Sequence, residues 1–337
     1  MITVTFYYRQ NDPKCAAVDQ LLSQVQTEIP HQLVRVDIDA ETSLTRRLTQ
    51  GVPIVKAGPY TIQGEFTLER LRMTLGAAQD RMKHLQELED PKYKTRYERA
   101  RTFSGMDRLT DWLSHHYLAL FNFFLFLYAG LPFLAPVLMK TGLTLPARVI
   151  YTVYSPLCHQ MAFRSWFLFG EQPYYPRTLA RVDGVLSYEA VILNGQTVSE
   201  TSSDFITGAR NFLGDETVGY KVALCERDVA LYGGMLVFGL IFALTGRRIG
   251  QIPWYLWLLF GLVPIGIDGF SQFPSLIAGL PDWLPVREST PLWRSLTGAL
   301  FGGLTAWYLY PLIDETMKDT QALLASKKQV IVQTRSS

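Results

Sequence analysis

The stretch Tyr117–Leu138 is built almost wholly from apolar and aromatic side chains and is long enough to cross a bilayer as a helix. In lipid every backbone amide must be bonded within its own segment, so such a run admits little besides a transmembrane helix. Val229–Leu244, Ile252–Ile267 and Leu292–Ile313 are three further candidate spans. Val149–Gly170 is ambiguous, because Pro156, Cys158, His159, Gln160 and Arg164 suit a protein interior better than lipid. Average composition hides this pattern. The 48% hydrophobic and 18% charged residues mix a polar region, 1–110, with the apolar stretches that follow.

Basic residues orient the spans. Lys92, Lys94, Arg96, Arg99, Arg101 and Arg108 precede the first apolar run, Arg247-Arg248 lie between two others, and Lys318, Lys327 and Lys328 follow the last. Four spans place all three groups on the cytoplasmic side, with Val149–Gly170 entering and leaving on the outer side; five spans would put the later two groups outside. The four-span arrangement is expected, with five as the alternative. The start of the chain has no basic n-region and runs directly into a strand pattern, so the N-terminal domain is expected in the cytoplasm. A net charge of +2 gives no ground for nucleic-acid binding.

Residues 2–8 alternate in β-branched and aromatic types and read as a strand. Asp12 is placed to cap a helix with Pro13 at its first position, running to about Thr27. A strand at Gln32–Ile38, a helix near Ser43–Gln50, a hairpin from Val52 through Gly64 and a helix from Thr67 complete a βαβαββα order. Phe6-Tyr7-Tyr8, Asp12-Pro13-Lys14-Cys15, Val36-Asp37-Ile38-Asp39 and Gly51-Val52-Pro53 resemble glutaredoxin-like proteins of the thioredoxin class, over roughly residues 1–80. The resemblance implies a C-x-x-C at the helix start facing a cis-proline. Pro53 fits the proline and Cys15 the second cysteine, but Asp12 stands where the attacking cysteine belongs. A carboxylate cannot attack a disulfide and raises the pKa of a nearby thiol. The domain is expected to be redox-inactive and to serve as a docking or regulatory module for a protein partner; one-thiol chemistry at Cys15 is the alternative.

In the membrane part, separately encoded polar groups fall at one membrane face. They are Cys158-His159-Gln160 and Arg164, then Cys225-Glu226-Arg227-Asp228, then Asp268 and Gln272, then Arg294 and Thr297. Cys158-His159-Gln160, the stretch Gly219–Asp228, Asp268-Gly269-x-x-Gln272 and Arg294-x-x-Thr297-Gly298 resemble a prokaryotic family of polytopic membrane proteins of unknown function, over roughly 115–313. In many of its members the second motif reads C-x-R-C, where this chain has Asp228. The resemblance implies a fold but no activity.

Cys158, His159, Cys225 and Asp228 form a candidate metal set, and the Cys/Asp spacing and exchange suit zinc. A Cys158–Cys225 disulfide and simple packing of two thiols are the other two readings. Asp268 and Arg294 are either one buried ion pair between spans or, with Arg164 and Arg227, a catalytic or substrate-binding group. Gln272 and Thr297 suit helix–helix hydrogen bonds, and Gly233-Gly234 and Gly298-x-x-x-Gly302-Gly303 suit close helix packing. Residues 171–222 form a polar insertion. Tyr188–Leu193 and Gln196–Ser199 around Asn194-Gly195 read there as a hairpin, either a cap on the polar cluster or an inert loop.

The expected molecule is an α+β membrane protein. A thioredoxin-like sandwich (1–80) is followed by a charged helical connector (81–114), a transmembrane domain (115–315) and a cytoplasmic tail (316–337). A metal-dependent membrane enzyme or carrier, a structural or sensory protein, and a membrane thiol-redox protein are the function classes left open.

Overall fold

A computed structural model of the chain describes residues 2–39, 51–88, 98, 102–193, 203–272 and 287–336. The expected helix at Ser43–Gln50, most of the basic connector and the Asn194-Gly195 turn lie outside these residues. The chain divides into two compact units, one formed by Met1–Tyr117 with Glu315–Ser337 and the other by Leu118–Asp314.

In the first unit, strand β1 (Ile2–Tyr8) leads into helix α1 (Pro13–Glu28) and strand β2 (His31–Asp37). Asp12 accepts a hydrogen bond from the Lys14 amide at 2.8 Å and caps α1, with Pro13 opening the helix. Cys15, Val18, Leu22 and Val25 recur at three- and four-residue spacing, and this stripe is the buried face of α1. Strands β3 (Ile54–Ala57) and β4 (Tyr60–Ile62) form a hairpin, and helix α2 (Leu68–Glu87) follows behind the cap Thr67. The sheet order is β2-β1-β3-β4, with β1 and β2 parallel and the other pairs antiparallel. The Val52–Pro53 peptide is cis. Val4, Phe6, Leu22, Leu71 and Leu75 form the core on one face of this sheet.

Helix α3 (Gly105–Lys140) begins in this unit. It is longer than the apolar run that announced it. Pro132 and Pro136 lie within the helix, and it stops instead at Gly142, whose φ of 80° lets Leu143 N bond back to Leu138 O at 2.9 Å.

In the second unit, α4 (Thr144–Tyr154) is followed by a 3-10 turn at Ala162–Arg164 and strand β5 (Ser165–Leu168). Val149–Gly170 is therefore no helical span. Its polar residues sit in the turn that closes α4, and the chain continues as a strand. A helical turn α5 (Tyr188–Val191), helix α6 (Ser203–Asn211) and strands β6 (Gly214–Asp215) and β7 (Gly219–Cys225) follow. The expected strand at Tyr188–Leu193 is overturned. Ser187 accepts from Ala190 N and caps a helical turn there, and the Tyr188 ring packs into an aromatic core with Phe163 and Phe205. The antiparallel sheet has the order β5-β7-β6. Tyr175, Tyr188, Phe205 and Val218 of the insertion are buried with Phe163 and Phe167 of the preceding segment, so the insertion is packed into a core rather than being a surface loop.

Helices α7 (Glu226–Leu244), α8 (Trp254–Phe270) and α9 (Pro291–Ser336) complete the chain. In α8 the stretch Trp257–Leu262 is a π-helix just ahead of Pro264, which has no amide to continue the ordinary ladder. Gly105–Lys140, Glu226–Leu244 and the Pro291 helix are long and apolar enough to cross a membrane, while Trp254–Phe270 is a shorter apolar helix. Phe123, Phe124 and Phe126 on α3 and Leu259 and Phe260 on α8 stand exposed, as lipid-facing side chains do.

Contacts give the helix directions. Tyr128 meets Tyr232 and Asn122 lies against Gly239, so α3 and α7 are antiparallel. Gly298 abuts Arg227, Gly302 abuts Leu231, and Trp307 stacks with Phe238, so α7 and α9 are parallel. Trp257 bonds Thr305 at 2.9 Å while Gly261 lies against Leu304 and Gln272 reaches Arg294, so α8 runs against α9. The end of α3, the start of α7, the end of α8 and the start of α9 thus lie at the same end of the bundle.

The expected glycine packing is present but uses only part of the two clusters. A Cβ on Gly302 would stand 1.9 Å from Leu231 O, and one on Gly298 2.5 Å from Arg227 O, whereas Gly303 meets its neighbour at an ordinary 3.9 Å. Gly302→Ala is expected to force α7 and α9 apart at a cost of about 2 kcal/mol. Thermal unfolding in detergent should then show a clear drop for Gly302→Ala and little change for Gly303→Ala.

Candidate metal centre and its buried ion network

The turn after α4 is pinned before any charged group is considered. Gln160 adopts φ 52°, and its side-chain amide donates to Tyr151 O at 2.9 Å and to Ala223 O at 3.0 Å, tying the turn to β7. Lys221 on β7 donates to Gln160 O at 2.7 Å and to Arg210 O at 2.6 Å. These bonds place the Cys158 sulfur against the end of β7, where it accepts from the Cys225 amide at 3.3 Å. Cys225 is the cap of α7, and Asp228 lies in the first turn of that helix.

One ligand atom from each of Cys158, Cys225 and Asp228 lies within 4.8 Å of the other two. Both thiols are free. The Cys225 thiol is held well above its ordinary pKa, first by its hydrogen bond with Cys158 and then by burial. His159, expected as a fourth ligand, is not in this group. Its neighbours Cys158 and Gln160 turn inward, so its own side chain is exposed at the mouth of the same cavity.

That cavity holds about 320 Å³ and is lined by the triad, His159 and the guanidinium groups of Arg164, Arg227 and Arg294, with Gln272. The four sequence-derived motifs therefore do meet. Their pairing differs from expectation. Asp268 binds Arg227, with Arg287 at 3.6 Å, and does not pair with Arg294. Arg294 instead binds Glu288, with Glu226 at 3.4 Å and Gln272 Oε1 at 3.0 Å. Arg294 lies in the first turn of α9, just after Glu288, and faces Glu226 in the first turn of the parallel helix α7. Asp268, near the end of α8, faces Arg227 one residue further along α7. Thr297 bonds its own helix, at Trp293 O, rather than a neighbouring one.

Glu288, Arg177 and Lys221 were not singled out from the sequence, and Glu226 was named there only as part of the second polar motif. Glu288 sits in a polar loop and gives no periodic signal, yet its side chain is fully buried. It accepts Arg164 in a two-bond fork at 2.8 and 2.9 Å, binds Arg294, and has Arg177 at 3.8 Å. Arg177 comes from the insertion and lies over the rings of Phe163 and Phe205, with its charge also facing Glu189 at 3.7 Å. Arg177 and Glu189 thus bring the insertion into the ion network. Glu226 stood inside a quoted motif, but nothing about its spacing marked it as buried.

In the first unit, the Cys15 thiol is 3% exposed and accepts from the Arg9 amide at 3.5 Å. Burial raises its pKa, and the Asp12 charge adds to the rise. The other two residues of the motif, Asp12 and Pro53, are a helix cap and a cis-proline.

The helices and this site define an integral membrane protein of the helical type. Residues 215–308 match a family described as predicted membrane protein (DUF2085). The chain is also similar to the uncharacterized protein MJ1492 of Methanocaldococcus jannaschii. The two are 26% identical over 211 residues, which cover 60% of this chain and 96% of the relative. No solved structure matches. The family match takes in Cys225, Asp228, Asp268, Glu288 and Arg294 but not Cys158.

Two predictions follow from the buried charges. Glu288→Gln removes the carboxylate shared by three guanidinium groups and should cost on the order of 3–5 kcal/mol, read as a large fall in melting temperature in detergent. Burial pulls Lys221 down to about 7, whereas an unfolded lysine keeps its proton to about 10.5. Unfolding therefore takes up a proton between these values, and stability should rise as pH increases from about 7 toward 10. Melting curves across that range should show the rise in the native chain and lose it in Lys221→Met.

Proposed function

We propose that this chain is a four-pass membrane protein that holds a divalent transition metal, zinc foremost, on Cys158, Cys225 and Asp228 at one end of its helical bundle. The observation that carries this reading is the meeting of three ligand-type atoms within 4.8 Å from two distant chain segments. Two sulfurs and a carboxylate oxygen form a donor set suited to zinc, and three protein ligands leave a fourth position for water or substrate. The three residues that would hold the metal all line the cavity. Metal binding would displace the thiol protons, including the one shared in the Cys158–Cys225 hydrogen bond.

Four passes are supported by the alternating directions of α3, α7, α8 and α9. Helix α8 is the short member. At 1.5 Å per residue it spans roughly 26 Å, close to the hydrocarbon thickness. The basic groups around Arg108, Arg247 and Lys327 favour a cytoplasmic location for both termini, which puts the triad on the opposite face.

Residues 1–80 are read as a glutaredoxin-like module of the thioredoxin class that no longer exchanges disulfides. Support comes from the β2-β1-β3-β4 order, from Asp12 at the helix cap and from the buried, high-pKa thiol of Cys15. A structural or docking role suits it better than redox transfer.

Metal analysis of the purified full chain tests the centre. About one zinc or other transition metal per chain is expected after reconstitution with zinc. It should be lost in Cys158→Ser and Cys225→Ser, weakened in Asp228→Asn and kept in His159→Ala. A native chain that binds no metal, or one whose two thiols are found joined as a disulfide, rejects the proposal.

A further inference from the structure

The cavity beside the triad has a second chemical character that a metal does not use. Three arginines, Arg164, Arg227 and Arg294, line it, and among the described residues Asp228 is the only carboxylate that does. The acids that hold these arginines, Asp268, Glu226 and Glu288, are not part of the lining. Each guanidinium is held by protein groups, Arg164 by Glu288, Arg227 by Asp268, and Arg294 by Glu288, Glu226, Gln272 and the Phe163 carbonyl at 3.4 Å. Arg227 keeps a buried Nε without an acceptor among the described residues.

We infer that the cavity binds a phosphate-type oxyanion, seated between the triad and the Arg227 guanidinium, with Arg164 and Arg294 adding positive charge to the wall. Arginine suits this role because its planar donors match the spacing of phosphate oxygens, and clamping by Glu288 and Asp268 prepays the ordering of the side chains. Size agrees, since about 320 Å³ admits a phosphate group with part of whatever carries it. The position agrees as well. Cys225 caps α7 and Arg294 is in the first turn of α9, so the cavity lies where apolar helices begin, near the level of lipid headgroups. The oxyanion is then either the headgroup phosphate of a lipid or a soluble phosphate compound that reaches the same pocket.

This deepens the proposed metal centre, because the triad and the arginines line one cavity, but the arginine arm can be tested separately. The full chain in detergent is titrated with inorganic phosphate and, in parallel, with phosphatidic acid in mixed micelles, with melting temperature as the readout. Neutral diacylglycerol micelles serve as the control. Stabilisation by phosphatidic acid alone identifies a lipid phosphate; stabilisation by both identifies a phosphate site open to soluble ligands. In either case Arg227→Lys should weaken the effect about tenfold, since it keeps the charge and loses the fork. The double variant Arg227→Met/Asp268→Asn, which removes the buried ion pair and leaves only the solvent-exposed Arg287 without this carboxylate, should abolish it. No stabilisation by either compound, or equal stabilisation of the native chain and the double variant, overturns the inference. Repeating the titration on Cys158→Ser separates the two readings. If phosphate still binds where zinc does not, the oxyanion site stands on the arginines alone. If zinc binds the native chain and phosphate does not, only the oxyanion inference falls.

Discussion

The carboxylate of Glu288 holds the polar end of the helical bundle together. It is fully buried and is approached by Arg164 from the turn before β5, Arg177 from the insertion and Arg294 from the first turn of α9. None of those guanidinium groups could be buried without an acid, and one acid could not be buried among them without its hydrogen bonds. The loop ahead of α9, the insertion and the turn that carries Cys158 are therefore fixed relative to one another by a shared electrostatic need. The Cys158/Cys225/Asp228 triad and its cavity inherit their geometry from that arrangement.

Along the bundle, the constraint is steric rather than ionic. In lipid, apolar side chains gain little by leaving one hydrocarbon for another, so the helices are joined where backbones approach closely. Gly298 and Gly302 let α9 lie against the carbonyls of Arg227 and Leu231 on α7. The same approach brings Arg294 alongside Glu226, so helix packing and ion pairing at the helix starts support each other. In the first unit, the last turns of α9 supply Ala322 and Ala325 to a cluster with Tyr7, Val34, Val36 and Ile54, and Ser326 bonds the Tyr7 hydroxyl at 2.8 Å. Gln333 donates to and accepts from the backbone of Arg35 on the edge strand β2, taking the place of a neighbouring strand. What read as a C-terminal tail is the second covering layer of the small sheet.

Much of this was legible because it depended on local rules. The Asp12-Pro13 helix start, the strand at 2–8, the helix start near Thr67 and the apolar helices are stated by spacing, propensity and capping, which act over a few residues. The meeting of Cys158, Cys225 and Asp228 was legible in part, because Cys225 and Asp228 are one helical turn apart and the motifs bracket the same helix ends. The strand assigned to Tyr188–Leu193 failed because burial of the Tyr188 ring and the Ser187 cap outweighed an alternating pattern. The Asp268–Arg294 pair failed because which cation meets which acid depends on helix direction and rotation, and no residue type announces those. Glu288 and Arg177 gave no signal at all. A charged residue in a polar loop looks the same in sequence whether it faces water or the centre of a protein.

By itself, then, the amino-acid sequence determined that the chain enters a membrane, that a small α/β domain precedes the spans, and that polar motifs recur at the ends of the apolar runs. Hydrophobic length and local periodicity are enough for each of these. Only the tertiary structure decided that His159 stands apart from the triad, that Arg227 rather than Arg294 binds Asp268, and that Glu288 gathers three arginines. Those outcomes depend on how remote segments pack, because a buried charge selects its partner by distance and direction in space, not by position along the chain.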